Sequence, residues 1–304
     1  MNPIVGIGEL LWDIYPDGRK VAGGAPFNFA FHCHQLGHPA VIVSRVGDDE
    51  LGRELRDEVR RLGLSDEYIQ IDSEHPTGTV QVALDAAGVP TYTITENVAW
   101  DYIAFDPMTH DLARRCRCVC YGTLGQRAAG GWETVQTLLH AHLLEGECAP
   151  WRIFDVNFRE DHINPSMLRP SLARAEWVKI NTDEAPRLAQ LLGRDTADLT
   201  EFVKQLVCLT TSEQRCAIWT HGGSGCDVFG FREEIHEPGV PARVVDTVGA
   251  GDAFTAAMVC LHLEGRPLAE CARFANHYAA RVCEHHGATP RIDRREVERA
   301  AFAT

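Results

Sequence analysis

Short apolar runs recur along this chain, separated by longer amphipathic stretches, and this rhythm limits the folds open to it more than any single residue does. Residues 4–8, 40–46, 119–122, 153–156, 177–180 and 217–220 are rich in apolar and small side chains, the pattern of strands buried on both faces. Segments 26–36, 49–62, 131–144, 182–192, 197–207, 251–264 and 267–285 read as helices. Segment 49–62 is well marked, with Asp48 and Asp49 at its start and Gly63 placed to end it. Strand–helix alternation predicts an α/β fold, a mostly parallel sheet flanked by helices on both faces.

One region departs from the rhythm. Residues 76–96 hold two strand-like runs joined by Asp85-Ala86-Ala87-Gly88, a hairpin signal. Residues 14–22, around the turn Pro16-Asp17-Gly18, add further extended chain. These strands predict a small extra sheet, and a lid over a cleft is a natural use for one.

With 304 residues the chain can form one large α/β domain and bury a sizeable core without disulfides. Its formal net charge of -14 argues against a nucleic-acid partner. It does not argue against a nucleotide, because backbone N–H groups can hold an anion locally. Eleven cysteines without a framework spacing point to a reducing compartment. The chain opens with neither a basic stretch nor a long apolar run, and no stretch approaches the ~20 apolar residues a membrane helix needs. The expectation is a cytoplasmic protein with no membrane partner.

The strongest motif is Asp246-Thr247-Val248-Gly249-Ala250-Gly251-Asp252. It follows an extended run and opens an apolar helix. Gly249, Ala250 and Gly251 let backbone N–H groups approach an anion at a helix N-terminus, where the dipole favours negative charge. Asp252 falls in the first turn, beside that anion site. Phosphoryl transfer needs this combination of positioned charge stabilisation and a carboxylate near the attacking hydroxyl. The same helix end is expected to lower the Asp252 pKa.

This segment resembles the C-terminal signature of the ribokinase-like carbohydrate kinase family. The N-terminal signature is also present as Gly23-Gly24-Ala25-Pro26-Phe27-Asn28-Phe29-Ala30, followed by Gly37 and Gly47. The resemblance runs nearly the full length. It implies a doubly wound α/β fold with a β-sheet lid, one domain over 1–304 with lid strands at about 13–22 and 76–104. The implied activity is ATP-dependent phosphorylation of a hydroxymethyl group. Asp252 then resembles the catalytic base and Gly249, Ala250 and Gly251 the anion hole.

Further residues acquire expected roles. Gly23 and Gly24 let the backbone approach a ligand, Pro26 suits a first helical turn, and Asn28 offers donor and acceptor to sugar hydroxyls. Asp13, after a first extended run at 6–11, resembles the family's sugar-hydroxyl carboxylate. Asp155-Val156-Asn157-Phe158-Arg159 resembles a fructokinase stretch, with Val156 where a proline is usual. Alternation would point Asp155, Asn157 and Arg159 the same way if the strand persisted. Asn181 and Glu184 have capping-box spacing, and they also resemble a motif that places Mg²⁺ and phosphates, with Glu184 acting through water. Thr220, Gly222 and Gly225 resemble a nucleotide turn and are equally a hairpin turn. Asn276 resembles a residue near the adenine.

The resemblance is closest to fructokinase-like sugar kinases, with ATP and Mg²⁺ required. Asp246 to Val248 precede a loop that binds K⁺ in some relatives, and pairing through lid sheets is a family mode of dimerisation. The spacing of Cys116, Cys118 and Cys120 fits a buried strand face rather than zinc. The pairs His32/His34, His140/His142 and His285/His286 read as surface or packing residues. Gly6-Ile7-Gly8 is not a dinucleotide fingerprint, and no P-loop sequence occurs.

Overall fold

The structure is a computed structural model describing residues 2–84, 90–141, 150–159, 162–208 and 215–303. In chain order its strands are β1 (Ile4–Ile7), β2 (Leu11–Ile14), β3 (Lys20–Gly23), β4 (Ala40–Gly47), β5 (Ile69–Asp72), β6 (Thr79–Leu84), β7 (Pro90–Ile94), β8 (Cys118–Tyr121), β9 (Trp151–Asp155), β10 (Trp177–Asn181), β11 (Cys216–Thr220), β12 (Gly225–Gly230) and β13 (Glu234–Pro238). Its helices are α1 (Ala25–Gln35), α2 (Glu50–Arg61), α3 (Pro107–Arg115), α4 (Ala129–His140), α5 (Pro165–Arg174), α6 (Glu184–Leu191), α7 (Leu199–Val207), α8 (Ala250–Leu263), α9 (Leu268–Cys283) and α10 (Arg294–Phe302).

Nine strands form the main sheet in the order β13-β12-β11-β10-β9-β8-β1-β4-β5. From β5 to β11 all neighbours are parallel, and β12 and β13 continue the edge as an antiparallel hairpin. Chain order runs outward from β1 through β4 on one side and through β8 on the other. That reversal is a topological switch point, beyond whose strand ends open α/β sheets bind ligands. Ile4, Cys118, Cys120 and Ile153 face one core, while Val5, Val119, Tyr121 and Phe154 face the other. This period of two is what a strand covered on both faces requires. The first core holds α8, whose residues Ala253 to Leu261 are all buried.

Four strands form the small sheet in the order β3-β2-β6-β7. Its hairpins β2/β3 and β6/β7 are antiparallel, and β2 joins β6 in parallel. The two regions that broke the βα rhythm thus share one sheet. The expected hairpin loop at 85–88 lies outside the described residues, as do 142–144 and His142 of the expected helix 131–144.

Several expectations are corrected. The extended run 6–11 is not one strand: β1 ends at Ile7, Gly8 takes φ 142°, and the chain re-enters extended structure as β2, which carries Asp13. Cys118 and Cys120 share a buried face of β8, but Cys116 closes α3 and packs in the opposite core. Strand β5 and helices α3, α5 and α10 were not anticipated. Each of those three helices begins with a side-chain cap, from Asp106, Asn164 and Asp293 respectively.

Candidate active site

Helix α8 begins at a left-handed Gly249 with φ 77°, a conformation natural to glycine. A Cβ there would also lie 2.6 Å from the Ala288 Cβ, so only glycine fits. Asp252 sits in the first turn of the helix that this glycine opens. Asn28, in the first turns of α1, donates from Nδ2 to Asp252 Oδ2 at 2.8 Å. Two motifs 224 residues apart therefore meet.

Asp252 is half-buried, and its carboxyl pKa is pushed up to about 6. Burial is the main cause, and the nearby Asp155 carboxylate adds to it. Asn28, Lys179 and Arg159 oppose the rise. This reverses the lowering expected from the helix dipole, because removal from water outweighs it.

Lys179, on β10, is buried and donates to Asp155 Oδ1 at 3.1 Å. Burial works against its charge, but Asp155, Glu184 and Asp252 outweigh that and hold its pKa above the ordinary value. A Cβ on Gly251 would lie 3.1 Å from Lys179 Nζ, so the ammonium stands beside the glycine turn. Thr255 Oγ1 donates to the other Asp155 oxygen at 3.0 Å. The site thus holds a fixed cation that the sequence alone did not single out. Its only sequence signal is a lysine inside an otherwise apolar strand.

Asp13 projects from β2 over Gly23, where a Cβ would lie 2.8 Å from Asp13 Oδ2. Burial raises Asp13 to about 6, against the pull of Arg159. Gly24 takes φ 118° and passes so close to Glu9 that a Cβ would sit 2.2 Å from the Glu9 carbonyl oxygen. Glu9 was also unanticipated. Its Oε1 accepts the Ala25 N–H at 3.1 Å, fixing the start of α1. Burial raises its pKa to about 7. Among the described residues, Glu9 Oε2 and Asn28 Oδ1 are buried without a hydrogen-bond partner.

The segment after β9 does not continue as a strand. Asn157 turns with φ 39°, so Asp155, Asn157 and Arg159 do not project alike. Asp155 is buried against Lys179 and Thr255, Asn157 is half-buried, and Arg159 is exposed. The Arg159 charge is nonetheless felt at Glu9, Asp13 and Asp252.

Asn181 and Glu184 cap each other at the mouth of β10. Asn181 Oδ1 accepts the N–H groups of Asp183 and Glu184 at 2.9 Å each, and Glu184 Oε2 accepts the Asn181 N–H at 2.8 Å. Glu184 Oε1 accepts the Phe158 N–H at 3.0 Å. Thr220 ends β11, and its turn enters β12 with positive φ at Gly222 and Gly225. Asn276, on α9, donates to the carbonyls of Glu237 and Pro238 at 3.3 and 3.2 Å. Its amide therefore ties the end of β13, an anchoring role its sequence position did not indicate. The Asp246 carboxylate accepts N–H bonds from Val248 at 3.0 Å and Gly287 at 2.9 Å, joining the two loops.

The family model described as pfkB family carbohydrate kinase matches residues 14–295. This chain belongs to the pfkB family of carbohydrate kinases. An uncharacterized sugar kinase of Pyrococcus horikoshii is 30% identical over 304 residues, spanning 95% of this chain and 93% of that protein. Its crystal structure in complex with ATP shares the fold with a TM-score of 0.82, at 26% identity over 97% of each chain. A fructokinase of Klebsiella pneumoniae is 29% identical over 263 residues, 83% of this chain and 82% of that protein. An aminoimidazole riboside kinase of Salmonella typhimurium is 28% identical over 276 residues, 85% and 80% of the two. The named acceptors of these relatives thus differ, one being a fructokinase and one an aminoimidazole riboside kinase. Among the described residues of this pfkB-family kinase, no helix is long and apolar enough to cross a membrane.

Proposed function

We propose that this kinase transfers the γ-phosphoryl group of ATP to a primary hydroxyl of a small sugar, with fructose the first candidate acceptor. The Asn28–Asp252 hydrogen bond carries the reading, since it joins the acceptor-side motif to the base at the phosphate end. Asp13, Gly23, Gly24, Asn28 and Arg159 face the acceptor, and the unpartnered Asn28 Oδ1 supplies an acceptor for a sugar hydroxyl. Asp252, with a pKa near 6, is ionised at neutral pH yet basic enough to take a proton. The hydroxyl oxygen forms its bond to the γ-phosphorus, its proton passes to Asp252, and the bond to the β-phosphate oxygen breaks to release ADP. The amides of the Gly249–Gly251 turn and the Lys179 ammonium stabilise the charge that develops.

ATP is favoured as donor because a full-length relative is described in complex with it. Mg²⁺ would neutralise phosphate charge there. All four oxygens of Asp155 and Glu184 already accept protein hydrogen bonds. Their carboxylates therefore fit a cation reached through its water shell. The small sheet, carrying Asp13, is suited to cover the acceptor and exclude water. Fructose is favoured by the fructokinase relatives.

The test is ADP release from Mg-ATP with fructose, ribose, glucose, adenosine and sugar phosphates, in K⁺ and Na⁺ buffers. Turnover with fructose well above the rest is expected. Preference for ribose or a nucleoside would overturn the acceptor, and no turnover with any would overturn the reading. Asp252→Asn is expected to lower kcat by about 10²–10⁴, the range for a positioned base.

A further inference from the structure

Behind the Asn28–Asp252 pair lies a buried polar chain that the reaction above does not use. His32 follows Asn28 by one helical turn on α1, so the two side chains share a face. Its ring is fully buried and both nitrogens are engaged. Nε2 lies 2.8 Å from the Ala288 carbonyl oxygen and Nδ1 lies 3.0 Å from the Tyr278 hydroxyl. A carbonyl can only accept, so Nε2 carries the proton. Tyr278 accepts from Gln35 Nε2 at 2.8 Å, which leaves its own hydrogen to donate to Nδ1 of the neutral ring. These partners hold the neutral imidazole in one tautomer. Burial favours that form, lowering the His32 pKa to about 4.

The Ala288 end of this chain reaches the phosphate side. Gly249 packs directly on Ala288, close enough that a Cβ at Gly249 would lie 2.6 to 2.9 Å from Ala288 Cβ, Cα and O. Asp246 binds the neighbouring N–H groups of Val248 and Gly287, so the glycine turn and the 287–288 segment are tied to one carboxylate. Gln35 adds bonds to the Pro290 carbonyl and the Ile292 N–H. Helix α1 therefore grips the acceptor-side base with Asn28 and the seat of the anion turn with His32.

We propose that His32 is a positioning residue for phosphoryl transfer: its Nε2–H bond to Ala288 seats the Gly249 turn at a fixed offset from the Asn28–Asp252 pair. The inference rests on the kinase reading above. A displacement of the turn by about 1 Å can cost ~10² in rate, because reacting groups must meet in near-attack geometry. Neither ground-state ligand depends on that offset to the same degree, so the loss falls on kcat.

Two polar variants separate this role from packing. His32→Gln places an amide N–H near the Nε2 position, whereas His32→Asn is one methylene shorter and does not reach Ala288. Steady-state assays with the best acceptor and Mg-ATP are expected to show His32→Asn at least tenfold down in kcat, with both KM values within threefold. His32→Gln is expected within threefold of the parent in kcat. Folded His32→Asn with parental kcat, or equal losses in the two variants, would overturn the proposal. If His32→Asn does not fold, Ala288→Gly removes the seat and keeps the histidine bonds. A kcat-only loss there supports the proposal and parental kcat sinks it. An inactive parent overturns the kinase reading together with this one, while an active parent indifferent to both positions overturns this one alone.

Discussion

Asp252 is held where its charge is costly. A carboxyl at about 6 in the folded chain, against about 3.8 unfolded, binds its proton more tightly when folded. Its contribution to stability is therefore full below about pH 4 and is lost as pH rises through about 6. The loss is on the order of 2–3 kcal/mol at neutral pH, at about 1.4 kcal/mol per pKa unit. Asp252→Asn is accordingly expected to melt above the parent at pH 8, with the gap closing toward pH 4, in thermal scans across pH. A gap independent of pH would show that the charge is not the cause. The same carboxyl predicts an acid limb in kcat/KM with an apparent pKa near 6, absent from any residual activity of Asp252→Asn. Asp252, Asn28 and the glycines between were readable from sequence because their chemistry is local: a glycine turn, a helix start, a carboxylate in the first turn. The direction of the Asp252 shift was not, since it depends on burial and on Asp155 from another strand. Lys179, Glu9 and His32 escaped for the same reason. Each is defined by partners contributed from elsewhere in the chain.

The elements that position these residues differ in how openly the sequence declares them. The six parallel strands buried on both faces stood out as apolar runs. Strand β5, at the sheet edge with Ile71 exposed, did not. Helices α3 and α5 start on prolines and are polar overall, so no strong apolar stripe marked them and their cap residues alone did not reveal them. Two elements yield sharp expectations. Gly249→Ala puts a Cβ on a residue with φ 77° and into Ala288, so activity should fall together with stability. Retention of parental Tm and kcat would mean that the turn tolerates another conformation. Asp49 caps α2 by accepting the Gly52 N–H at 2.7 Å, and it also accepts from the Thr77 N–H at 2.8 Å and hydroxyl at 2.7 Å. Asp49→Ala should therefore cost at least the ~1 kcal/mol of an ordinary cap, read as a lowered midpoint in urea.

The two sheets share a core, and that decides how the molecule should respond as a unit. Leu10, Trp12 and Ala22 of the small-sheet region belong to the same buried cluster as Ile4, Phe27 and Phe254. Trp12 Nε1 donates to the Leu51 carbonyl at 3.0 Å, and Lys20 pairs with Glu54, so β2 and β3 are tied to α2. At the far edge Arg127 bonds both Asp101 oxygens and the Thr95 carbonyl, linking the end of β7 to the start of α4. A separate domain would instead have its own core and few contacts across its boundary. We therefore expect residues 1–304 to unfold as one cooperative domain. Trp12 reports on the small sheet, and the fluorescence difference between the parent and Trp12→Phe isolates its signal. In urea that signal should change together with far-UV circular dichroism, at a single midpoint. Earlier loss of the Trp12 signal, with dichroism intact, would instead show a small sheet that melts independently.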